Sequence, residues 1–429
     1  MRIWRILLFL AAGLCLACSQ VSLDLEDDGQ EDVLAWSPLP IDDADYQRAV
    51  EIIQRRSHQM AEVQWHTLAP VPWNNGMFPS DSTYYGIPYS SVKEKDKFVG
   101  HEVSFYTFLT AAQNPRSVLY SENVGRSPYQ GVNCATYYGT VCSMTVNYVL
   151  GLDAPYQSNM YPDLPFIEMV KQQDTDGVRI GDILGRSGHV VLIEDIKYNA
   201  DGSIASIYIL ESLGSDTKIK RYTPATLMKR WVDSAWTLYR YLDFGRIAQQ
   251  EQYPFLSSLD PDNYSVDFSG MICTSRGDRV SYREGENVVL NLLRPFRGEV
   301  QILRNGQMYQ TASFQSDDFV LTGLPSGSYE AVVVDGDVVS STFFEVIGTS
   351  VNVRQSKKGM WVSFNSANGV PEYVSLCSST GSRLRIHVIT DAERASGELW
   401  LASVSHDDYV KVFFRGDYGR ISNDPIRLK

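Results

Sequence analysis

The spacing of hydrophobic and polar residues changes once along the chain, near residue 250. Before that point, DADYQRAVEIIQRRSHQM places Ala49, Val50 and Ile53 at helical spacing after an aspartate that can cap a helix. A second helical pattern lies in GTVCSMTVNYVLGL, and GDILG, HVVLIEDI and SIYILES follow as strand-like runs. A helix over PATLMKRWV and a strand over WTLYRYLDF complete this part. Helix first and antiparallel meander afterwards is the order of an α+β domain.

Beyond the polar, proline-bearing stretch AQQEQYPFLSSLDPDNYSVDFSG, the pattern becomes one of short alternating runs. Turn signals separate these runs: REGEN, RNGQ, LPSGS and VDGD, and then KKGMW, ANGVP and STGS after about Thr349. We therefore predict two all-β sandwich domains of about 80 residues, smaller than the roughly 100 residues of a typical immunoglobulin-like domain.

The N-terminus has the pattern of a targeting segment. MRIWRILLFLAAGLCLAC combines two arginines, an apolar run and small residues before Cys18, as in a secretory signal peptide. The apolar run is shorter than the ~20 residues of a membrane-spanning helix. LCLAC resembles a bacterial lipobox, which implies cleavage before Cys18 and lipid attachment to its sulfur; simple secretion is the alternative.

The acidic run after Cys18 predicts a disordered tether and resembles that of Bacteroidetes surface lipoproteins. We expect an outer-membrane lipoprotein of a Gram-negative bacterium, on its periplasmic or surface face.

These patterns divide the chain into six segments. They are a lipoprotein signal peptide (1–17), an acidic tether (18–40), an α+β domain with an N-terminal helix (41–245), a linker (246–268) and two β-sandwich domains (269–348 and 349–429).

Charge and motifs narrow the function classes. A formal net charge of −13 argues against a general nucleic-acid binder. No CxxC pair, phosphate-binding loop, HExxH helix or His/Asp metal cluster occurs. We therefore expect no metal, no cofactor and no nucleic-acid partner.

Cys142 is the candidate nucleophile. It heads a helical face that continues with Val146, Val149 and Leu150, and Thr140 is the predicted cap of that helix. The positive end of a helix dipole favours the thiolate, which is the attacking form of cysteine. The alternative is a buried structural cysteine. Cys134, which could bridge to Cys142 or replace it, lacks such a helical face and is interpreted as structural.

His189 and Glu211 are the predicted partners of that thiol. A glycine-flanked turn places His189 at the start of a strand, near an open sheet end. If Asn199–Asp201 form a three-residue hairpin loop, Ile193 pairs with Ile207 and His189 faces Glu211. A carboxylate at that distance can orient an imidazole, which is the third element of a catalytic triad.

These segments resemble the NlpC-type cell-wall cysteine peptidases, which are papain-like enzymes with a cysteine on a helix and a histidine on a strand. YYGIPYSS resembles the family's Gly-x-Pro-Tyr segment beside the active site, and the resemblance runs from about Tyr84 to Glu211. It implies that Cys142 is the nucleophile, His189 the base and Glu211 the third polar residue, with Tyr89 in the substrate pocket.

The chain departs from the family pattern at three points. Val141-Cys142-Ser143-Met144 replaces the usual Asp-Cys-Ser-Gly, and that aspartate helps to bind the free amine of the substrate. Val141 and Ser143 are accordingly predicted to bind the substrate, and the family's preference for a substrate with a free amine is expected to be altered. The long separation of Tyr89 from Cys142 indicates an insertion. Glu211 stands where histidine is commoner, although the related CHAP amidases can use an acidic residue.

The predicted fold class is a papain-like α+β catalytic domain, with a helix packed on an antiparallel sheet, followed by two immunoglobulin-like sandwiches. The predicted function is a lipid-anchored cysteine peptidase or amidase that cleaves an amide bond in peptidoglycan stem peptides. Two alternatives stay open: a non-catalytic lipoprotein that binds a peptide, glycan or protein, and an amidase or acyltransferase with another substrate. The β domains are expected to contact the wall or a surface partner.

Overall fold

A computed structural model describes residues 39, 41–73, 76–90, 98–124, 138–171, 175–186, 188–233, 235–250, 266–296, 298–313, 317–377, 383–404 and 408–428. Residues 38–429 belong to one compact unit. The predicted signal peptide, Cys18 and Cys134 lie outside the described residues. Within the described residues no helix combines the length and hydropathy needed to cross a bilayer.

Seven helices are present in the described part of the chain: α1 Asp43–Glu62, α2 Phe105–Ala112, α3 Val118–Ser121, α4 Cys142–Val149, α5 Pro224–Asp233, α6 Phe244–Gln249 and α7 Asp391–Ser396. Short 3-10 turns cover Tyr161–Asp163 and Thr175–Gly177. As predicted, an aspartate caps α1: the Asp42 side chain accepts a hydrogen bond from the Asp45 backbone N–H at 2.8 Å. The predicted boundary at residue 245 falls inside α6, which packs on α1.

The described residues of the first part of the chain form ten strands: β1 Gln64–Thr67, β2 Val71–Trp73, β3 Gly76–Phe78, β4 Ser82–Tyr85, β5 Ile167–Val170, β6 Ile183–Arg186, β7 His189–Tyr198, β8 Ile204–Leu213, β9 Asp216–Tyr222 and β10 Thr237–Tyr241. Six of them form an antiparallel sheet in the order β5-β10-β6-β7-β8-β9. Helix α4 packs on β7 and β8, and also contacts α1. The strands predicted over GDILG, HVVLIEDI and SIYILES and the helix over PATLMKRWV are confirmed, whereas β5 and β9 were not predicted.

An extended segment links this sheet to the start of α4. The Tyr89 backbone N–H donates to Ser215 O at 2.9 Å, and Tyr89 forms a parallel bridge with Thr140 on its other side. Gly86 makes this approach possible, because its φ is +79° and a Cβ there would lie 2.1 Å from Thr217 O. The residues just before Cys142 therefore lie beside Tyr89 in the fold. The insertion between Tyr89 and Cys142 contains α2 and α3.

The remaining strands form the all-β part: β11 Ile272–Thr274, β12 Val280–Arg283, β13 Val288–Leu292, β14 Glu299–Arg304, β15 Gln307–Ser313, β16 Asp318–Leu321, β17 Gly327–Asp335, β18 Val338–Gln355, β19 Gly359–Ala367, β20 Val370–Cys377, β21 Arg383–Val388, β22 Glu398–Ala402, β23 Tyr409–Arg415, β24 Arg420–Ser422 and β25 Ile426–Arg427.

Two β-sandwiches share the long strand β18. In the first sandwich, the sheet β11-β13-β16 packs on a second layer formed by β14, β17 and the beginning of β18, with one core between them. In the second sandwich, the end of β18 with β19 and β22 packs on a layer formed by β20, β21, β23 and β24, with another core between them. The β-sandwich part of the predicted fold is thereby confirmed. The predicted boundary between residues 348 and 349 falls inside β18.

The insertion contacts the first sandwich through buried polar groups. Asn114, which follows α2, donates from its amide to Thr274 O at 3.1 Å and to Asn291 Oδ1 at 2.8 Å. The Thr107 hydroxyl donates to Arg279 O at 2.6 Å. Buried hydrogen bonds of this kind are costly to break, since each leaves a polar group without a partner. The insertion therefore connects the α+β part to the first sandwich.

Candidate active site

Cys142 is the first residue of α4, as the sequence predicts, but the predicted cap is wrong. Val141 occupies the N-cap position with φ −124° and ψ 167°, and no side chain caps the helix. Thr140 is instead held in the bridge to Tyr89, with its hydroxyl 3.3 Å from that of Thr145. The backbone N–H groups of the first turn of α4 therefore lie beside the thiol without a capping side chain.

The predicted pairing of β7 with β8 is wrong by two residues. Ile193 pairs with Ile209 rather than Ile207, because five residues (Asn199–Ser203) separate the strands instead of three. Two irregularities within the pairing, at Ile193/Asp195 and at Lys197/Tyr198, offset each other. A shift of two residues keeps every side chain on the same face of the sheet. His189 and Glu211 therefore still share a face and meet diagonally.

His189 joins the thiol and the carboxylate. Its Nε2 lies 2.9 Å from Glu211 Oε1. The Cys142 thiol is close enough to the ring to change its pKa, and Nδ1 is the ring nitrogen that Glu211 leaves unoccupied. Burial lowers the pKa of His189, but the hydrogen bonds with Cys142 and Glu211 outweigh burial and raise that pKa to about 9. The edge of the ring contacts Trp236, with ring centroids 5.6 Å apart and an interplanar angle of 76°. The imidazole is thus fixed on three sides and favours its protonated form at neutral pH.

Glu211 is held as a carboxylate by cationic neighbours. Lys220 Nζ donates to Oε2 at 2.7 Å, and Arg230 Nη2 donates to Oε1 at 2.5 Å. Burial raises the pKa of Glu211, whereas the hydrogen bonds from His189, Arg230 and Lys220 hold it well below its usual range. With its oxygens ionised, Glu211 can only accept, so the Nε2–H of His189 is the donor in their bond.

The three predicted substrate-binding residues also surround the thiol. Tyr89 is half-buried; burial raises the pKa of its hydroxyl, and the nearby Cys142 raises it further. Val141 directly precedes the thiol, and Ser143 follows it in the first turn of α4 with 6% of its surface exposed. The structure therefore brings together six predicted site residues: Cys142, His189, Glu211, Tyr89, Val141 and Ser143.

Sequence reasoning missed several neighbours of the triad. Tyr161 is fully buried, and its hydroxyl lies 3.1 Å from Ser143 O and 2.9 Å from Asn147 Oδ1. Burial raises its pKa well above the usual value, and Cys142 raises it further. The exposed Arg186 pairs with His189 across the β6–β7 turn, with its guanidinium 5.2 Å from the centre of the Trp236 ring. The alternation of polar and apolar residues in DTKIKRY could have predicted β9 and hence the position of Lys220. No sequence pattern marked the other neighbours of the triad.

The triad is largely buried in this structure. Cys142 is 6%, His189 7% and Glu211 2% exposed. Cys142 has a free thiol. No group of three His, Cys, Asp or Glu side chains suited to a metal ion occurs within the described ranges. The arrangement can support a thiolate–imidazolium pair without any further group.

No family model matches the chain, and no curated protein matches it. Among solved structures, it is similar to the fibronectin(III)-like modules of Clostridium thermocellum CbhA (14% identity, 37% of this chain and 94% of the other, TM-score 0.20) and to domains 3 and 4 of rat CD4 (6% identity, 34% and 97%, TM-score 0.22). The CD2-binding domain of CD58 is a third (11% identity, 35% and 96%, TM-score 0.20). At these TM-scores the similarities carry no functional argument.

Proposed function

We propose that this protein is a papain-like cysteine hydrolase that cleaves an amide bond, with Cys142 as nucleophile, His189 as acid and base, and Glu211 as the residue that orients His189. One observation carries the proposal: the imidazole that is hydrogen-bonded to the buried carboxylate of Glu211 also lies beside the Cys142 thiol at the start of α4. A structural cysteine needs neither partner.

The reaction begins from a Cys142 thiolate and a His189 imidazolium. The thiolate attacks the carbonyl carbon, a C–S bond forms, and the carbonyl electron pair moves to oxygen. Backbone N–H groups at the uncapped start of α4, that of Cys142 included, donate to this oxyanion. His189 gives its Nδ1 proton to the departing amine as the C–N bond breaks, which leaves a thioester. His189 then takes a proton from water, hydroxide displaces the thiolate, and a carboxylic acid is released.

Glu211 acts through His189. Its carboxylate accepts from Nε2–H throughout the cycle, so Nδ1 is the nitrogen that gains and loses the proton. Lys220 and Arg230 keep the carboxylate ionised and fixed. The imidazolium is therefore stabilised by two acidic partners, the thiolate and the carboxylate, in a site largely shielded from water.

The substrate class proposed is the stem peptide of peptidoglycan, with the protein attached to the outer membrane through lipidated Cys18. Peptidoglycan stem peptides contain acidic residues, and the exposed guanidinium of Arg186 lies at the edge of the site, stacked on Trp236. Val141 offers no charge to a free substrate amine, so substrates without a free N-terminus are favoured here. Transfer of the acyl group to an amine instead of water is the same chemistry with a different acceptor.

A second candidate function is non-catalytic binding of a peptide, glycan or protein. The burial of Cys142 and His189 favours it, because a largely buried thiol limits the access of a substrate carbonyl to the sulfur. A peptide vinyl sulfone distinguishes the two functions: rapid labelling of Cys142 at neutral pH excludes a purely binding role, and no labelling excludes the hydrolase.

The test of the hydrolase is digestion of purified muropeptides, followed by mass spectrometry of the products. The wild-type protein is expected to release peptide fragments, and Cys142→Ala to release none. Cys273→Ala is the matched control, since it removes a buried thiol in the first sandwich and is expected to retain cleavage. Equal cleavage by wild type and Cys142→Ala would reject the proposal.

A further inference from the structure

The outer face of the second sandwich carries an ordered set of polar and aromatic side chains. Along β19, Met360, Val362 and Phe364 are buried in the core, whereas Trp361 and Asn365 alternate with them on the outside. The neighbouring strands are in register with this pattern. Asn352 of β18 pairs with Ser363 and Ser350 with Asn365, while Ser363 pairs with Glu398 of β22 on the other side.

A groove of about 470 Å³ lies on this face, within the range typical of small-ligand sites. Six of the 13 lining residues carry hydroxyl or amide side chains. The full lining is Ser350, Asn352, Ser363, Phe364, Asn365, Ser366, Gly369, Pro371, Arg394, Ala395, Ser396, Gly397 and Glu398. The Ser350 hydroxyl and the Asn352 amide have no hydrogen-bond partner among the described residues. The Asn365 oxygen accepts from the Ser366 backbone N–H at 2.8 Å, which leaves its amide hydrogens as donors.

The charged side chains of the groove are already compensated. Arg394 donates to Pro371 O at 3.1 Å and to Ile389 O at 3.2 Å, and it pairs with Asp391. Glu398 accepts from the Ser363 hydroxyl at 3.3 Å and lies 3.8 Å from Arg354. The groups left to bind a ligand are therefore neutral donors and acceptors, which suit a neutral, hydroxyl-rich partner.

Two tryptophans extend the groove. Trp361 and Trp400 pair directly across β19 and β22, with ring centroids 5.3 Å apart. Trp361 precedes Ser363 by one alternation step on the same face of β19, about 7 Å away, and is 42% exposed. Gly359 leaves room for this pair, because a Cβ there would lie 2.7 Å from the Trp400 ring. An exposed indole next to neutral hydrogen-bonding groups offers a flat apolar surface and polar contacts side by side.

We infer that this face is a binding site for a neutral glycan chain. Hydroxyl or N-acetyl groups of one sugar bond to Ser350, Asn352 and Asn365, and the apolar face of a neighbouring sugar ring stacks on Trp361. A chain-like ligand fits because Trp361, Ser363 and Asn365 occupy successive outward positions of β19, so the indole and the groove lie along one strand. This site is independent of Cys142 and stands whether or not the triad is catalytic.

The inference is tested by titrating the full chain, in a Cys142→Ala background that prevents turnover, with chitohexaose, cellohexaose and polygalacturonate, followed by calorimetry and tryptophan fluorescence. Binding of at least one of the two neutral oligosaccharides is expected, with little binding of the anionic polymer. Trp361→Ala is expected to weaken that binding at least about tenfold, because it removes the stacking surface. The double variant Asn352→Ala/Asn365→Ala is expected to weaken it comparably.

The matched control is Tyr309→Ala, which removes an exposed aromatic side chain from β15 of the first sandwich and is expected to leave binding unchanged. Trp361→Phe keeps an aromatic surface and is expected to recover part of the affinity, so loss through misfolding is distinguished from loss of stacking. The inference is overturned if neither neutral oligosaccharide binds, if the anionic polymer binds more tightly, or if Trp361→Ala binds as the parent does.

Discussion

Replacing Glu211 with Gln removes the charge that stabilises the His189 imidazolium and keeps the size of the side chain. Nε2 of His189 and Oε1 of Glu211 are 2.9 Å apart, and the Glu211 side chain is 1% exposed. Water therefore cannot replace the lost charge. We expect a less stable imidazolium and, with it, a less stable thiolate at Cys142.

The size of the effect follows from the pKa of His189. A rise from 6.5 to about 9 corresponds to about 3 kcal/mol in favour of the charged ring, at 1.36 kcal/mol per pKa unit. Burial opposes this rise, and two partners, Cys142 and Glu211, produce it. A hydrogen bond to a charged group contributes about 1.5–3 kcal/mol, and about 2 kcal/mol is taken here for the bond from Glu211. At that value the thiolate–imidazolium pair becomes about thirtyfold rarer relative to the neutral pair.

The assay is the rate of alkylation of Cys142 by iodoacetamide between pH 5 and 10, followed by peptide mass spectrometry. Glu211→Gln is expected to react at least about tenfold more slowly than the wild type at pH 6.5, because fewer molecules hold the proposed thiolate–imidazolium pair. The control is Asp195→Asn, a carboxylate on the same strand as His189 that bonds to Gln54 at 3.1 Å. Reaction of Glu211→Gln within twofold of the wild type at pH 6.5 would refute the reasoning.

The same pKa predicts a pH dependence of stability. Because the folded-state pKa of His189 exceeds its unfolded value of 6.5, the charged ring stabilises the fold fully below about pH 6.5. That stabilisation is lost as the pH rises through about 9. Urea unfolding of Glu211→Gln is accordingly expected to depend less on pH between 6.5 and 9 than that of the wild type.

Three further predictions concern neighbouring groups. Arg186→Ala, which removes the exposed guanidinium on Trp236, is expected to raise KM for acidic peptides with little change in kcat; an unchanged KM contradicts the role proposed for it. Tyr161→Phe removes a buried hydroxyl with two acceptors and is expected to lower the free energy of unfolding in urea by about 1–3 kcal/mol, whereas Tyr198→Phe at an exposed position should be neutral. Asn114→Ala breaks the buried bonds to the first sandwich and should cost about 2 kcal/mol in the same assay; an unchanged urea midpoint contradicts it.

The parts of the site encoded by local patterns could be predicted. Cys142 at a helix start and His189 at a strand start follow from periodicity and turn residues close to them in sequence. The shared face of His189 and Glu211 was predicted despite a wrong register, because a two-residue error preserves the alternation of a strand. The Asp-Gly pair predicts a hairpin turn, but it does not determine whether the loop has three or five residues.

The parts that depend on distant segments could not be predicted. Arg230 reaches Glu211 from α5, and Trp236 reaches His189 from the residues just before β10. The cap of α4 was mispredicted for the same reason: pairing with Tyr89 holds Thr140 in an extended bridge, and this tertiary contact overrides its local preference for capping.

The central claim is that Cys142 forms a covalent acyl intermediate, and rapid acid quenching during digestion of muropeptides tests it most directly. Intact-mass analysis is expected to show wild-type protein heavier by the mass of the acyl fragment, with the adduct on Cys142. No adduct is expected on Cys142→Ala. Cleavage of muropeptides by the wild type without any adduct, and at an equal rate in Cys142→Ala, would contradict the account.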